Sequence, residues 1–212
     1  MRPATAISAD GPSNLYNGVA VAISPEARGR GVMVMLNDQI DYARNVVKTH
    51  TTDVQTFASV NRGPAGVSNT GVVTWFGRPD KKHGTTSEFT LDGVAKLPRV
   101  DIIYAHAGMN ADLIDAAVKL GAKGLVIAGV GDGNMTAAAL DRVAAAAKAG
   151  VVVVRSTRLA AGIVYRNNEV NDDKLGLVAS AELNPAKARV LLMLALTRTK
   201  DVARIQTMFN DY

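Results

Sequence analysis

The chain has 212 residues, 48% hydrophobic and 20% charged, with 19 glycines and 7 prolines. This is the composition of a globular protein with room for a substantial core, and it excludes collagen-like, coiled-coil and disordered classes. No cysteine occurs, which removes thiol nucleophiles, disulfides, thiolate zinc sites and iron–sulfur clusters. The three histidines, His50, His83 and His106, are far apart and form no ligand pair on a helical face, so no metal site is expected. The balance of 24 Lys and Arg against 19 Asp and Glu gives +5, but the basic residues are spread singly or in twos, as at Arg28/Arg30 and Lys81/Lys82. That pattern reads as a solvated surface and not as a nucleic-acid stripe. The longest apolar run, Val190 to Leu196, is far too short for a bilayer.

In chain order, Met1-Arg-Pro-Ala-Thr-Ala is neither a signal-peptide core nor a strand, and the chain reads as starting inside a loop, as though something before it had been removed. Asp10-Gly11-Pro12 turns into a helix over about Pro12 to Ile23. Gly31 to Leu36 is a continuous apolar run, which predicts a parallel strand buried on both faces. The stretch Asn37 to Arg99 offers it only short or weak neighbours, around Val72 to Phe76, so its sheet reads as incomplete. An incomplete sheet predicts exposed apolar area and poor solubility. Residues 78–98, charged and punctuated by Pro and Gly, read as a linker.

Alternation then becomes regular. A strand over Val100 to Ala105 precedes a helix over about Asn110 to Leu120, and a buried strand over Gly124 to Ala128 precedes a helix over about Met135 to Ala149. A third strand, Val151 to Val154, follows. Such βαβ spacing predicts a parallel sheet with its loops gathered at one edge, where open α/β folds place ligands. Asn184-Pro185 supplies a cap and a first-turn proline for a helix running to Leu196, and Val202, Ile205, Met208 and Phe209 line a last one.

Two loops at that edge carry the chemistry. Ala128-Gly-Val-Gly-Asp-Gly-Asn134 joins a strand to a helix, and its glycines let a ligand approach the backbone, with Asn134 expected as a cap. It lacks the spacing of a dinucleotide loop and the lysine of a phosphate loop. A nucleotide- or phosphate-binding module using Gly129 to Asn134 and a plain tight turn both remain open from these residues. The polar stretch Asn167-Asn-Glu-Val-Asn-Asp-Asp173 could place Glu169 against a substrate ammonium or be solvated surface. His106, after a strand, could be an acid or base or a structural histidine. No G-x-S-x-G elbow or S-x-x-K pair supplies a nucleophile.

Several stretches together resemble one family, the type II bacterial L-asparaginases, glutaminase-asparaginases included. They are Met1 to Asn17, Arg30-Gly-Val-Met-Val-Met-Leu-Asn-Asp38, Lys48-Thr-His-Thr-Thr-Asp-Val-Gln-Thr-Phe57, Ala128 to Asn134, Val153-Val-Arg-Ser156, Leu183 to Leu192 and Ile205 to Tyr212. The resemblance implies an α/β protein with an incomplete larger domain (1–77), a linker (78–98) and an intact smaller domain (99–212) whose parallel sheet is flanked by helices. It also implies that the nucleophilic threonine and the Thr-Asp-Lys set lie upstream of Met1, so that this chain alone holds no catalytic residue and is inactive. Its implied site residues are Asn134 and Glu169, which the family donates to a neighbouring subunit's site, the glutamate facing the substrate's α-ammonium. Asp132 stands where an asparagine is common and adds negative charge there. Further implications are L-asparagine or L-glutamine as substrate, no cofactor, and a tetramer built from close dimers. The resemblance implies a periplasmic or secreted location; with no signal peptide read in this chain, a cytoplasmic one stays open.

Overall fold

A computed structural model describes residues 1–212, which divide into two compact units, Met1–Ser87 and Glu88–Tyr212. The first unit holds helix α1 (Gly11–Ile23) and the strands β1 (Met33–Leu36), β2 (Gln39–Tyr42), β3 (Val47–Lys48), β4 (Phe57–Ala58), β5 (Gly66–Asn69) and β6 (Val72–Trp75). Four of these strands form an antiparallel sheet in the order β1-β2-β5-β6, and β3 pairs with β4.

This corrects the expected parallel strand at Gly31 to Leu36. β1 turns straight back into β2 through Asn37-Asp38, with Leu36 opposite Gln39. Both turn residues have positive φ, 52° and 60°, the combination a two-residue type I′ hairpin needs. A second such turn, Thr70-Gly71, joins β5 to β6. β1 is therefore a half-buried edge strand, and its apolar face covers a small core of Val21, Ile40 and Ala65 together with Met33, Met35, Tyr42, Val73 and Trp75. The buried Arg30 lays its guanidinium 4.0 Å over the Trp75 ring and donates to the Tyr42 hydroxyl at 3.0 Å and to the Gly77 carbonyl.

The second unit follows the predicted alternation closely: β7 (Val100–Tyr104), α2 (Asp112–Lys119), β8 (Gly124–Gly129), α3 (Ala137–Lys148), β9 (Val152–Thr157), α4 (Asp172–Leu175), β10 (Leu177–Ala179), α5 (Pro185–Ala195) and α6 (Val202–Asp211). The sheet is parallel throughout, in the order β10-β9-β8-β7. Every residue of β8 and β9 is buried, because alternate side chains enter two different cores. Ile103, Leu125, Ile127, Val153 and Leu177 pack with α2 and α3, while Val100, Val126, Val152, Val154 and Val178 pack with α5 and α6. Asn184 caps α5 by accepting from the Lys187 N–H at 3.0 Å, with Pro185 in the first turn, as the sequence implies. β10, which the sequence does not announce, is an edge strand whose backbone is met by side chains. The Gln206 amide exchanges two hydrogen bonds with Ala179, at 2.8 and 3.1 Å, and Arg166 Nη1 donates to the Leu177 carbonyl at 3.0 Å.

The stretch 78–98 is tied down on each side of the boundary between the units, at His83 in the first and at Glu88 in the second. Glu88 binds Arg204 at 2.6 Å and donates its N–H to the Tyr212 hydroxyl at 2.7 Å. In the first unit both ring nitrogens of His83 face carbonyl oxygens, Nε2 at 2.8 Å from Gly29 and Nδ1 at 2.6 Å from Lys81. Only the doubly protonated ring can donate to both. The bonds to the Gly29 and Lys81 carbonyls accordingly raise the His83 pKa above its ordinary 6.5, against a smaller opposing effect of burial. A raised folded-state pKa stabilises fully below the unfolded value and is lost as pH rises through the folded value. Thermal melting of the chain should therefore show a loss of stability on going from below 6.5 through the raised pKa, and His83→Ala should remove that segment of the pH profile.

Candidate functional site

The two loops singled out in the sequence meet at the C-terminal edge of the parallel sheet. The glycine loop leaves β8 and closes on itself, with Val130 and Asn134 exchanging backbone hydrogen bonds at 2.8 and 2.7 Å. This closure requires glycine at two positions. A Cβ on Gly129 would lie 2.5 Å from the Gly133 carbonyl carbon, and Gly133, at φ 74°, would direct one to 2.9 Å from the Arg155 guanidinium. Asn134 is not the helix cap expected from its position. Thr136 caps α3 by accepting from the Ala139 N–H at 3.3 Å, and Asn134 Oδ1 instead accepts from the Met135 N–H at 2.8 Å. That bond fixes which way the Asn134 amide faces.

Its Nδ2 donates to Glu169 Oε2 at 3.1 Å, so the structure brings together the two residues expected to bind substrate. Both are exposed, and the second Glu169 oxygen takes no hydrogen bond within the chain. A second rung joins the same loops: the carboxylate of Asp132 accepts from the Tyr165 N–H and from Asn168 Nδ2, each at 2.7 Å.

Beneath both loops is a group to which the sequence reading gave no role. Arg155 is fully buried and meets the equally buried Asp172 through a fork, Nε to Oδ1 at 2.7 Å and Nη2 to Oδ2 at 2.8 Å. The remaining guanidinium donors hold the two loops: Nη1 reaches the carbonyls of Asp132 at 2.8 Å and Gly133 at 3.4 Å, and Nη2 reaches that of Tyr165 at 3.0 Å. Asp172 in turn accepts from the Asn167 N–H at 2.7 Å. The sequence signal was present, since an arginine directly following four valines and continuing an apolar strand must be buried with a partner.

Charges around the loops are unevenly matched. Asp172 is paired with Arg155, and Asp173 with Arg166 at 2.5 Å. Asn167 and Arg166 hold the Asp173 carboxyl below its ordinary pKa of 3.8. Asp132 and Glu169 have only neutral N–H donors. The exposed end of the site is thus negative, which suits a cation and opposes the phosphate reading of Gly129 to Asn134. The His106 ring hydrogen-bonds its neighbour's carbonyl, Ala107 O, at 2.8 Å, and joins neither loop. No group of three or more His, Asp or Glu side chains has the arrangement of a metal site.

Residues 99–209 match the family model for the Glutaminase/Asparaginase C-terminal domain, and residues 1–81 match Asparaginase, N-terminal. The chain belongs to the asparaginase family. It is 50% identical over 212 residues to a probable periplasmic L-asparaginase of Haemophilus influenzae, 47% identical over 212 residues to L-asparaginase 2 of Escherichia coli, and 42% identical over 213 residues to a glutaminase-asparaginase of Pseudomonas fluorescens biotype A. Each match covers 100% of this chain, but 61%, 61% and 59% of those proteins. The chain therefore spans about three fifths of the length of these curated relatives. Asn134, Glu169, Arg155 and Asp172 all fall within the C-terminal asparaginase domain.

Removing one member of a buried, hydrogen-bonded ion pair leaves an uncompensated charge and costs about 3–5 kcal/mol. Asp172→Asn and Arg155→Met should each lower the unfolding free energy by about that amount in urea titrations, and Arg155→Lys should not restore it, because an ammonium cannot form the fork. A loss below about 1 kcal/mol, the worth of an exposed pair, would show that Arg155 does not organise the loops.

Proposed function

We propose that this chain supplies the amino-acid-recognising loops of an L-asparaginase-type amidohydrolase, with L-asparagine as substrate and L-glutamine as the alternative. In this reading Asn134 and Glu169 receive the substrate's α-ammonium in the active site of a neighbouring subunit, within a tetramer built from close dimers. The observation that carries it is the Asn134–Glu169 pair: one carboxylate oxygen is held by a neutral amide and the other is left open to solvent. An ammonium bound there makes a charge-assisted hydrogen bond, about twice as strong as a neutral one. The unpaired negative charge of Asp132 beside it adds attraction for the same group. Relatives named L-asparaginase and glutaminase-asparaginase along the full length of this chain support the substrate class. The name of the Haemophilus relative supports a periplasmic location.

The reaction in this reading is attack of a threonine hydroxyl on the side-chain amide carbon, with the oxyanion held by backbone donors, departure of ammonia, and hydrolysis of the acyl-enzyme to aspartate. The nucleophile and the Thr-Asp-Lys set are not among these 212 residues. Asn134 and Glu169 orient the amino-acid end of the substrate and neither takes nor gives a proton.

The purified 212-residue chain should release no ammonia from L-asparagine above a blank. L-aspartate, the reaction product, should shift the NMR signals of the Asn134 side-chain amide and the Glu169 carboxyl, whereas succinate, which lacks the ammonium, should not. Glu169→Gln should weaken the L-aspartate titration by about tenfold, the worth of one charge-assisted bond. Equal responses to L-aspartate and succinate would refute ammonium recognition.

A further inference from the structure

Asp132 is the one residue of the glycine loop that touches the Glu169 loop with its side chain at two points. Its flanking glycines both have positive φ, Gly131 at 52° and Gly133 at 74°. The tight loop that results turns the carboxylate outward, while its backbone carbonyl is pulled inward by Arg155 at 2.8 Å. The two carboxylate oxygens accept from the Tyr165 N–H and from Asn168 Nδ2. Asn168 is the residue immediately before Glu169. The bond from Asp132 to Asn168 and the bond from Asn134 to Glu169 are therefore successive rungs between the same two segments.

Glu169 needs such a constraint. It is exposed, follows Asn167 in a left-handed conformation at φ 59°, and has a single hydrogen bond of its own, to a neutral amide. A single exposed bond between neutral donor and carboxylate contributes little against the entropy of ordering a glutamate side chain. We propose that Asp132 is a positioning residue: its carboxylate clips Tyr165 and Asn168 to the glycine loop and thereby sets Glu169 against Asn134. The role in substrate binding rests on the reading of that pair as the ammonium receptor.

Two substitutions separate the clip from the charge. Asp132→Asn keeps an acceptor for the Tyr165 N–H, and Asn168 can turn its amide to offer Oδ1 to the new Nδ2, so the clip survives without the negative charge. Asp132→Ala removes both. Ligand-free NMR of the 212-residue chain reads the result. The Asn134 and Asn168 side-chain amides and the Glu169 carboxyl should collapse to averaged positions in Asp132→Ala and keep their dispersion in Asp132→Asn, with the melting temperature little changed. L-aspartate affinity should fall about tenfold or more in Asp132→Ala and by less in Asp132→Asn, in line with loss of an oriented charge-assisted bond.

Asn168→Ala cuts the clip from its exposed side and must reproduce the Asp132→Ala spectrum, which covers the case of an alanine variant that folds poorly. The proposal is overturned if either variant moves the Asn168 or Tyr165 signals while Asn134 and Glu169 stay as in the unmodified chain. Because these spectra are recorded without ligand, failure of the unmodified chain to respond to L-aspartate sinks the ammonium reading alone, and the clip is still decided.

Discussion

The geometry of the site depends on one buried ion pair. A guanidinium with no exposed surface carries five donors that must all be answered, and the only way to answer them inside a parallel sheet edge is to bring acceptors to it. Asp172 answers two, and the rest draw in the carbonyls of Asp132, Gly133 and Tyr165. Those carbonyls belong to segments distant in sequence, so satisfying Arg155 is the same event as assembling the site. Apolar residues in place of both Arg155 and Asp172 would fill the space without a stranded charge and leave the two loops with little reason to meet.

A rigid base with a lightly held upper layer follows from this layout. Arg155, Asp172 and the strand ends are fully buried, whereas Asn134, Asn168 and Glu169 are exposed and linked by hydrogen bonds that water can replace. Preorganisation is then graded, strongest at the backbone of the loops and weakest at the group that meets a ligand.

How much of this could be read from the sequence differs between the halves for a physical reason. In residues 99–212 the two central strands, β8 and β9, are buried on both faces, so they appear as the unbroken apolar runs Leu125-Val-Ile-Ala128 and Val151-Val-Val-Val154, and those runs alone show them. In residues 1–87 the strands are two to four residues long and antiparallel, with polar residues such as Gln39, Asp41 and Ser68 along them. The apolar run Gly31 to Leu36 then looks like a parallel strand when it is the first arm of a hairpin. Its sign was the turn, Asn37-Asp38, two residues that tolerate left-handed backbone. Asn134 and Glu169 were singled out together only through the resemblance to asparaginases, because side chains on exposed loops leave no period. Their mutual contact and the roles of Asp132 and Asp172 depend on tertiary closure, which no spacing encodes.

The sign of the local charge sets a glycine loop at a strand end for or against an anion. A phosphate loop works because its backbone N–H groups point at the anion and nothing negative lies beside them. Here the Asn134 N–H is spent on the Val130 carbonyl, the loop's carbonyls turn toward Arg155, and two carboxylates without cationic partners stand at the rim. Arg155 beneath them is buried and saturated, and Arg166 is paired with Asp173. The same glycines that would let a phosphate approach serve instead to fold the loop tightly enough for Asp132 and Asn134 to point the same way, toward the segment that carries Glu169, and the rim they leave is negative.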